Sequence, residues 1–105
     1  MLSPRELARS DIEAAIDYYA REAGTDVALG FIDALQAAYD LIASHPESGW
    51  LRYAYELGLP DLRCVPLKRY PHLVFYRVEA DDVDVWRVLH AKRDIPHSMQ
   101  EPDNH

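Results

Sequence analysis

Along the first part of the chain apolar residues recur at three- and four-residue steps; later they alternate, so helices are expected first and strands after them. Leu7, Ala8, Ile12, Ala15, Ile16 and Tyr19 make one stripe, with Arg9, Glu13 and Asp17 outside it. Ser3, Pro4 and Glu6 offer a capping hydroxyl, a proline for the first helical position and the glutamate of a capping box, which starts this helix at Ser3. Gly24 stops it, and Asp26 is placed to cap a second helix with the stripe Val27, Phe31, Ala34, Leu35, Ala38, Leu41 and Ile42. The short gap between the stripes folds the second helix back on the first. Tyr18, Tyr19 and Tyr39 keep helical spacing and are assigned to packing at the core or its rim.

From Pro46 the character changes, and PESGWLRYAYELGLPDLR is read as a loop without a helix. Leu62–Leu67 is a candidate strand whose Pro66 belongs at an edge or bulge. Leu73–Val78 has the strongest strand propensity, and Glu79–Asp82 turns into Val83–Leu89. There Val83, Val85 and Arg87 alternate with Asp84, Trp86 and Val88. The predicted fold is α+β, an N-terminal antiparallel helical hairpin packed on one face of a small antiparallel meander of three to four strands. Residues 1–95 are expected to form a single domain and 96–105, PHSMQEPDNH, a flexible tail.

Composition narrows this without changing it. A chain of 105 residues suits one core. No apolar run is expected to approach the roughly 18–20 residues of a membrane helix, and no signal-peptide pattern opens the chain, so a cytoplasmic protein without a membrane partner is expected. The lone Cys64 fits a reducing compartment. Net charge is −7, which argues against direct nucleic-acid binding. The charge is unevenly spread, however. Residues 1–50 hold nine acids and three bases, whereas residues 51–95 hold eight bases and seven acids, so only the second half is suited to an anionic partner.

The candidate chemistry gathers in that half. No glycine-rich phosphate loop, nucleophile elbow or paired-cysteine site is present, and the five histidines lack zinc-clamp spacing, so neither metal nor cofactor is expected. The run RVLHAKRD, Arg87–Asp94, begins as strand and ends as a basic, histidine-bearing turn. With Arg63, Lys68 and Arg69, its Arg87, His90, Lys92 and Arg93 form a set of cations fit to bind an anionic partner, and Trp86 joins them as a candidate partner-binding residue. Two readings use these groups. A metal-independent ribonuclease would use His90 as acid or base with Arg63, Arg69 and Arg87 on the phosphate. A protein-binding surface would use Trp50, Trp86 and the tyrosines as anchors, and the acidic balance favours it.

The order DIEAAIDYYA, then ALGFIDAL closing on HPESG, then GLPDLRCVPLKRYPHLVFYR and DVWRVLHAKRD, resembles the RelE/ParE toxin superfamily over nearly the whole chain. FYRV at Phe75–Val78 and the RVLHAKRD ending are most similar to the ParE branch. The resemblance implies the toxin of a type II toxin–antitoxin pair, hetero-oligomeric with a cognate antitoxin whose disordered C-terminal part folds onto it. It further implies action on DNA gyrase, as ParE relatives poison that enzyme by stabilising its cleaved-DNA state. The alternatives it carries are a RelE-type ribosome-dependent mRNA endoribonuclease and a non-toxic antitoxin-binding remnant. Arg63 and Arg69 lie where the nuclease branch keeps arginines and His90 where some members have a catalytic histidine, but the continuation KRD is ParE-like. Relatives usually begin with a full strand. Here only Met1 and Leu2 precede Ser3, so the sheet is expected to be one strand short unless the start lies upstream.

Overall fold

In a computed structural model that describes residues 1–100, the described residues form four α-helices, one turn of 3-10 helix at Pro46–Ser48 and one four-stranded mixed sheet. Strands β1 (Leu2–Pro4), β2 (Arg63–Pro66), β3 (His72–Glu79) and β4 (Asp82–His90) lie in the order β1-β4-β3-β2. β2, β3 and β4 make the expected antiparallel meander, while β1 runs parallel to β4. Helices α1 (Glu6–Glu22) and α2 (Thr25–Ser44) precede the meander, joined by Ala23 and Gly24. Gly24 has φ of 100°, open to glycine and costly for other residues.

The helix starts differ from the sequence expectation. Ser3 and Pro4 pair with Asp84 and Val85 as strand residues, so their capping-box arrangement is not used and α1 begins at Glu6. β1 is thus the strand thought to be missing, reduced to three residues. Proline is tolerated there because β1 is an edge strand, and Arg5 continues the pairing by donating its amide to the Val85 carbonyl at 2.9 Å. Asp26 sits within the first turn of α2 instead of capping it; there it still complements the helix dipole.

Two cores flank the sheet. On one face Phe31, Leu35, Ala38 and Ile42 of α2 and Ala8 of α1 meet Val65, Val74, Tyr76, Val83, Val85 and Val88. α2 is long and apolar enough by composition to cross a membrane, but this stripe is spent on the sheet. The second core holds Leu62, Cys64, Leu73, Phe75, Leu89 and Ile95. It is built by two elements the sequence did not announce. Ala54–Leu57, read as loop, forms the short helix α3, and Ile95–Met99, of which the residues after Ile95 were read as the start of a tail, forms α4, capped by Asp94 accepting from the His97 amide at 3.2 Å. Residues 101–105 of the expected tail lie outside the described residues.

The simple alternation in β4 also fails. Phe75 pairs with Arg87 but Tyr76 with Val85, so a bulge leaves Trp86 opposite no β3 residue. Val83 and Val85 face the helices as expected; beyond the bulge Val88 takes that face in place of Arg87. β2 is an edge, as its Pro66 requires, and is partly covered by Trp50, which exchanges both backbone hydrogen bonds with Cys64.

Below the sheet the loop after α2 hangs on one hydroxyl. Tyr76 is fully buried; its Oη donates to the Pro46 carbonyl at 2.7 Å and accepts from the Gly49 amide at 3.0 Å. Gly49 has to be glycine because a Cβ there would overlap that hydroxyl. Replacing Tyr76 by Phe orphans both loop groups and should cost about 1–3 kcal/mol in urea unfolding without altering the far-UV spectrum.

Candidate functional site

The open half of β4 is the feature from which the site is built. β1 covers β4 only as far as Val85, so among the described residues no strand lies beside the outer edge from Trp86 to His90. α1 fills the gap partly with a side chain. Asp11 Oδ2 accepts the Val88 amide at 3.0 Å, standing in for the next strand residue. The same carboxylate takes Arg87 Nε and Nη2, both at 2.8 Å, in a fork-to-fork pair. Arg87 Nη1 donates onward to the Ser98 carbonyl of α4. The side chains of Arg87 and Asp11 are only 5% and 8% exposed, so this is a buried ion pair.

Above the pair runs an open groove of about 630 Å³. Leu7, Ser10, Ala14 and Tyr18 of α1 form one wall, Val88 and His90 the other, with His72 and Arg93 at one end. Tyr18, expected to pack, is 55% exposed here and contributes its ring to the wall. Tyr19 meets the expectation, lying within 6.0 Å of the Phe31, Tyr70 and His72 rings.

His72 was not foreseen. It opens β3 opposite His90, with ring centroids 5.2 Å apart, and is 8% exposed. Among the described residues its buried Nδ1 has no hydrogen-bond partner. Burial, and then the neighbouring His90, push its pKa down from 6.5 to about 4, so it is neutral at pH 7. The signal available in sequence was its place between Pro71 and the apolar Leu73. His90 is half-buried; its Nδ1 accepts the Lys92 amide at 3.1 Å, which leaves Nε2 as the ring's donor.

The eight residues singled out in sequence therefore part company. Arg63 turns away from the groove, donating to the carbonyls of Glu47 and Gly49 at 2.9 and 3.0 Å. Trp86 is clamped: its Nε1 donates to Asp84 at 3.1 Å, and the Arg5 guanidinium, itself bonded to Asp84, lies 4.4 Å from the ring. Arg87 is the groove's buried floor. His90 and Arg93 line the groove. Lys68, Arg69 and Lys92 are exposed on the loops beyond it.

A family model described as ParE toxin of type II toxin-antitoxin system, parDE, matches residues 2–95. The chain belongs to the ParE toxin family. The ParE-like fold is matched by a solved chain of a chromosomal ParDE TA system from P. aeruginosa, with a TM-score of 0.69 at 20% identity, covering 85% of this chain and 92% of that one. No curated protein matches the chain. The groove is thus a feature of a ParE-family toxin of a type II system, built where β1 ends and α1 crosses β4.

Asp11→Ala in this ParE-family chain strands Arg87 and the Val88 amide in a buried site, and should cost about 3–5 kcal/mol in chemical denaturation. The pair Asp11→Leu with Arg87→Met should recover much of that loss; a double variant as unstable as the single one would contradict the pairing. His72 gives a pH signature. Between pH 6.5 and 4 the unfolded chain holds a proton on this ring that the folded chain does not, so stability falls as pH falls through that window. The loss is on the order of 2 kcal/mol relative to His72→Phe, and parallel pH profiles for the two proteins would rule it out.

Proposed function

We propose that this chain is a cytoplasmic toxin that acts on DNA gyrase and is held inactive by a cognate antitoxin, whose C-terminal segment folds into the groove between α1 and the open edge of β4. The observation that carries the antitoxin half is the strand-free β4 edge, of which Asp11 takes only the Val88 amide, facing an apolar wall. An arriving chain can hydrogen-bond to the edge while laying side chains against Leu7, Ala14 and Tyr18. A disordered segment gains enough there to offset its ordering only if contact is extensive, which an open groove of about 630 Å³ allows.

The gyrase half rests on the ParE family and on the dispersal of the groups a nuclease would need. Arg87 is engaged by Asp11 and Ser98, and Arg63 by loop carbonyls, which leaves His90 without an arginine pair converging on one phosphate. Nucleolytic chemistry needs such donors around the reacting atoms. This arrangement supports a binding toxin.

Purified toxin in molar excess should abolish gyrase supercoiling and accumulate cleaved DNA, and the cognate antitoxin should restore activity. Ala14→Arg fills the groove and should weaken antitoxin binding by about 10-fold or more, so that poisoning persists when antitoxin is added. Full gyrase activity at high toxin with growth still arrested would refute the target. Ribosome-dependent mRNA cleavage abolished by His90→Ala would establish the nuclease reading instead, and unimpaired growth without antitoxin would mark a non-toxic remnant.

A further inference from the structure

At the end of the sheet beyond the groove, two loops that are far apart in sequence are tied together. Leu67 donates its amide to the His72 carbonyl at 2.9 Å, closing the β2–β3 loop, and Ala91 donates to the Pro71 carbonyl at 2.8 Å, fastening the segment after β4 alongside it. The first loop carries Lys68 and Arg69, the second Lys92 and Arg93, and all four are exposed. Arg69 has φ of 69°, so the loop turns sharply at that residue. Two carboxylates belong to segments adjoining these loops. Asp94 is committed to capping α4, and Asp26 lies on the turn of α2 whose Val27 carbonyl receives the Tyr70 hydroxyl.

We propose that this cationic rim is a binding surface for the phosphate backbone of duplex DNA. The net charge of −7 describes the whole molecule, but Asp and Glu dominate the helical half. The field at the rim is set by the loops that form it, within a Debye length of about 10 Å at 0.1 M salt. Composition selects the partner. A protein interface needs an apolar or aromatic centre to supply its affinity, and the rim has none: the nearby Tyr70 ring is packed edge-on to Tyr19 and Phe31, and His72 is buried. The same commitment removes the stacking platforms on which single strands depend. What remains is a set of long, exposed cations, Lys68, Arg69 and Lys92 foremost, able to meet successive phosphates, the chemistry of sequence-neutral duplex binding. This surface adjoins the groove at Arg93, which lines it, while Lys68, Arg69 and Lys92 line no part of it, and it does not depend on the gyrase reading.

The test uses the full chain and a fluorescent 20-base-pair duplex of arbitrary sequence, followed by anisotropy between 50 and 200 mM salt. Three phosphate contacts predict a slope of log affinity against log salt near ~−2.7, equivalent to about 40-fold weakening over that range. Lys68→Gln/Arg69→Asn/Lys92→Gln, with Asn chosen to suit the left-handed backbone, should weaken binding by about 10-fold or more and flatten the slope. Lys68→Gln/Lys92→Gln, which leaves the strained position untouched, should give an intermediate loss. Unchanged thermal melting of the variants shows that the fold is kept. No binding at 50 mM salt and 100 µM protein, on the order of the weak end of non-specific affinities, would overturn the proposal. So would variants that bind like the parent, or tighter binding to single-stranded RNA or to polyglutamate than to the duplex.

Discussion

One carboxylate holds three elements in register. Asp11 accepts two guanidinium bonds and a strand amide, and Arg87 passes its remaining donor to the Ser98 carbonyl, so α1, β4 and α4 are fixed relative to one another. A buried ion pair contributes little net free energy because desolvation offsets much of the attraction, whereas leaving one member alone is expensive. Its effect is therefore one of placement. Sliding α1 by one turn along β4 would strand both charges and the Val88 amide, a penalty no apolar contact would impose.

The position of this pair follows from the shortness of β1. Had β1 continued past Pro4, the Val88 amide would have met another strand and Asp11 would have had no place. Because it ends, α1 can approach the edge, and the remaining space becomes the groove. The bulge in β4 completes the arrangement: without the extra residue at Trp86, the periodicity of the strand would turn Arg87 toward the helix-facing core and take Val88 out of it. One irregular residue thus lets a valine fill that core while an arginine reaches both α1 and α4.

Much of the fold was legible in the sequence because apolar spacing is a local property. The stripes of α1 and α2, the meander of β2, β3 and β4, and the edge position of Pro66 all followed from the period of burial and from proline's missing donor. Local signals misled where a tertiary contact outbid them. Ser3, Pro4 and Glu6 spell a helix start, yet pairing with Asp84 and Val85 draws the first two into the sheet. Ala54–Leu57 and Ile95–Met99 are too short to show a period, and they are helical because the second face of the sheet needed covering. The basic residues of the second half were recognised as a set but not sorted, since exposed, clamped and buried cations look alike in sequence.

The sequence by itself determined the helical hairpin, the strands, the ParE-like resemblance and the residue types available for a partner, because each is encoded in spacing or in contiguous motifs. Only the tertiary structure decided that Arg87 is a buried strut and Lys92 a surface charge, and that His72 meets His90. It also decided that the loops bearing Lys68 and Lys92 share one rim. These assignments depend on which side chain across space supplies a partner or removes water, as Asp11 does for an arginine 76 positions away in the chain.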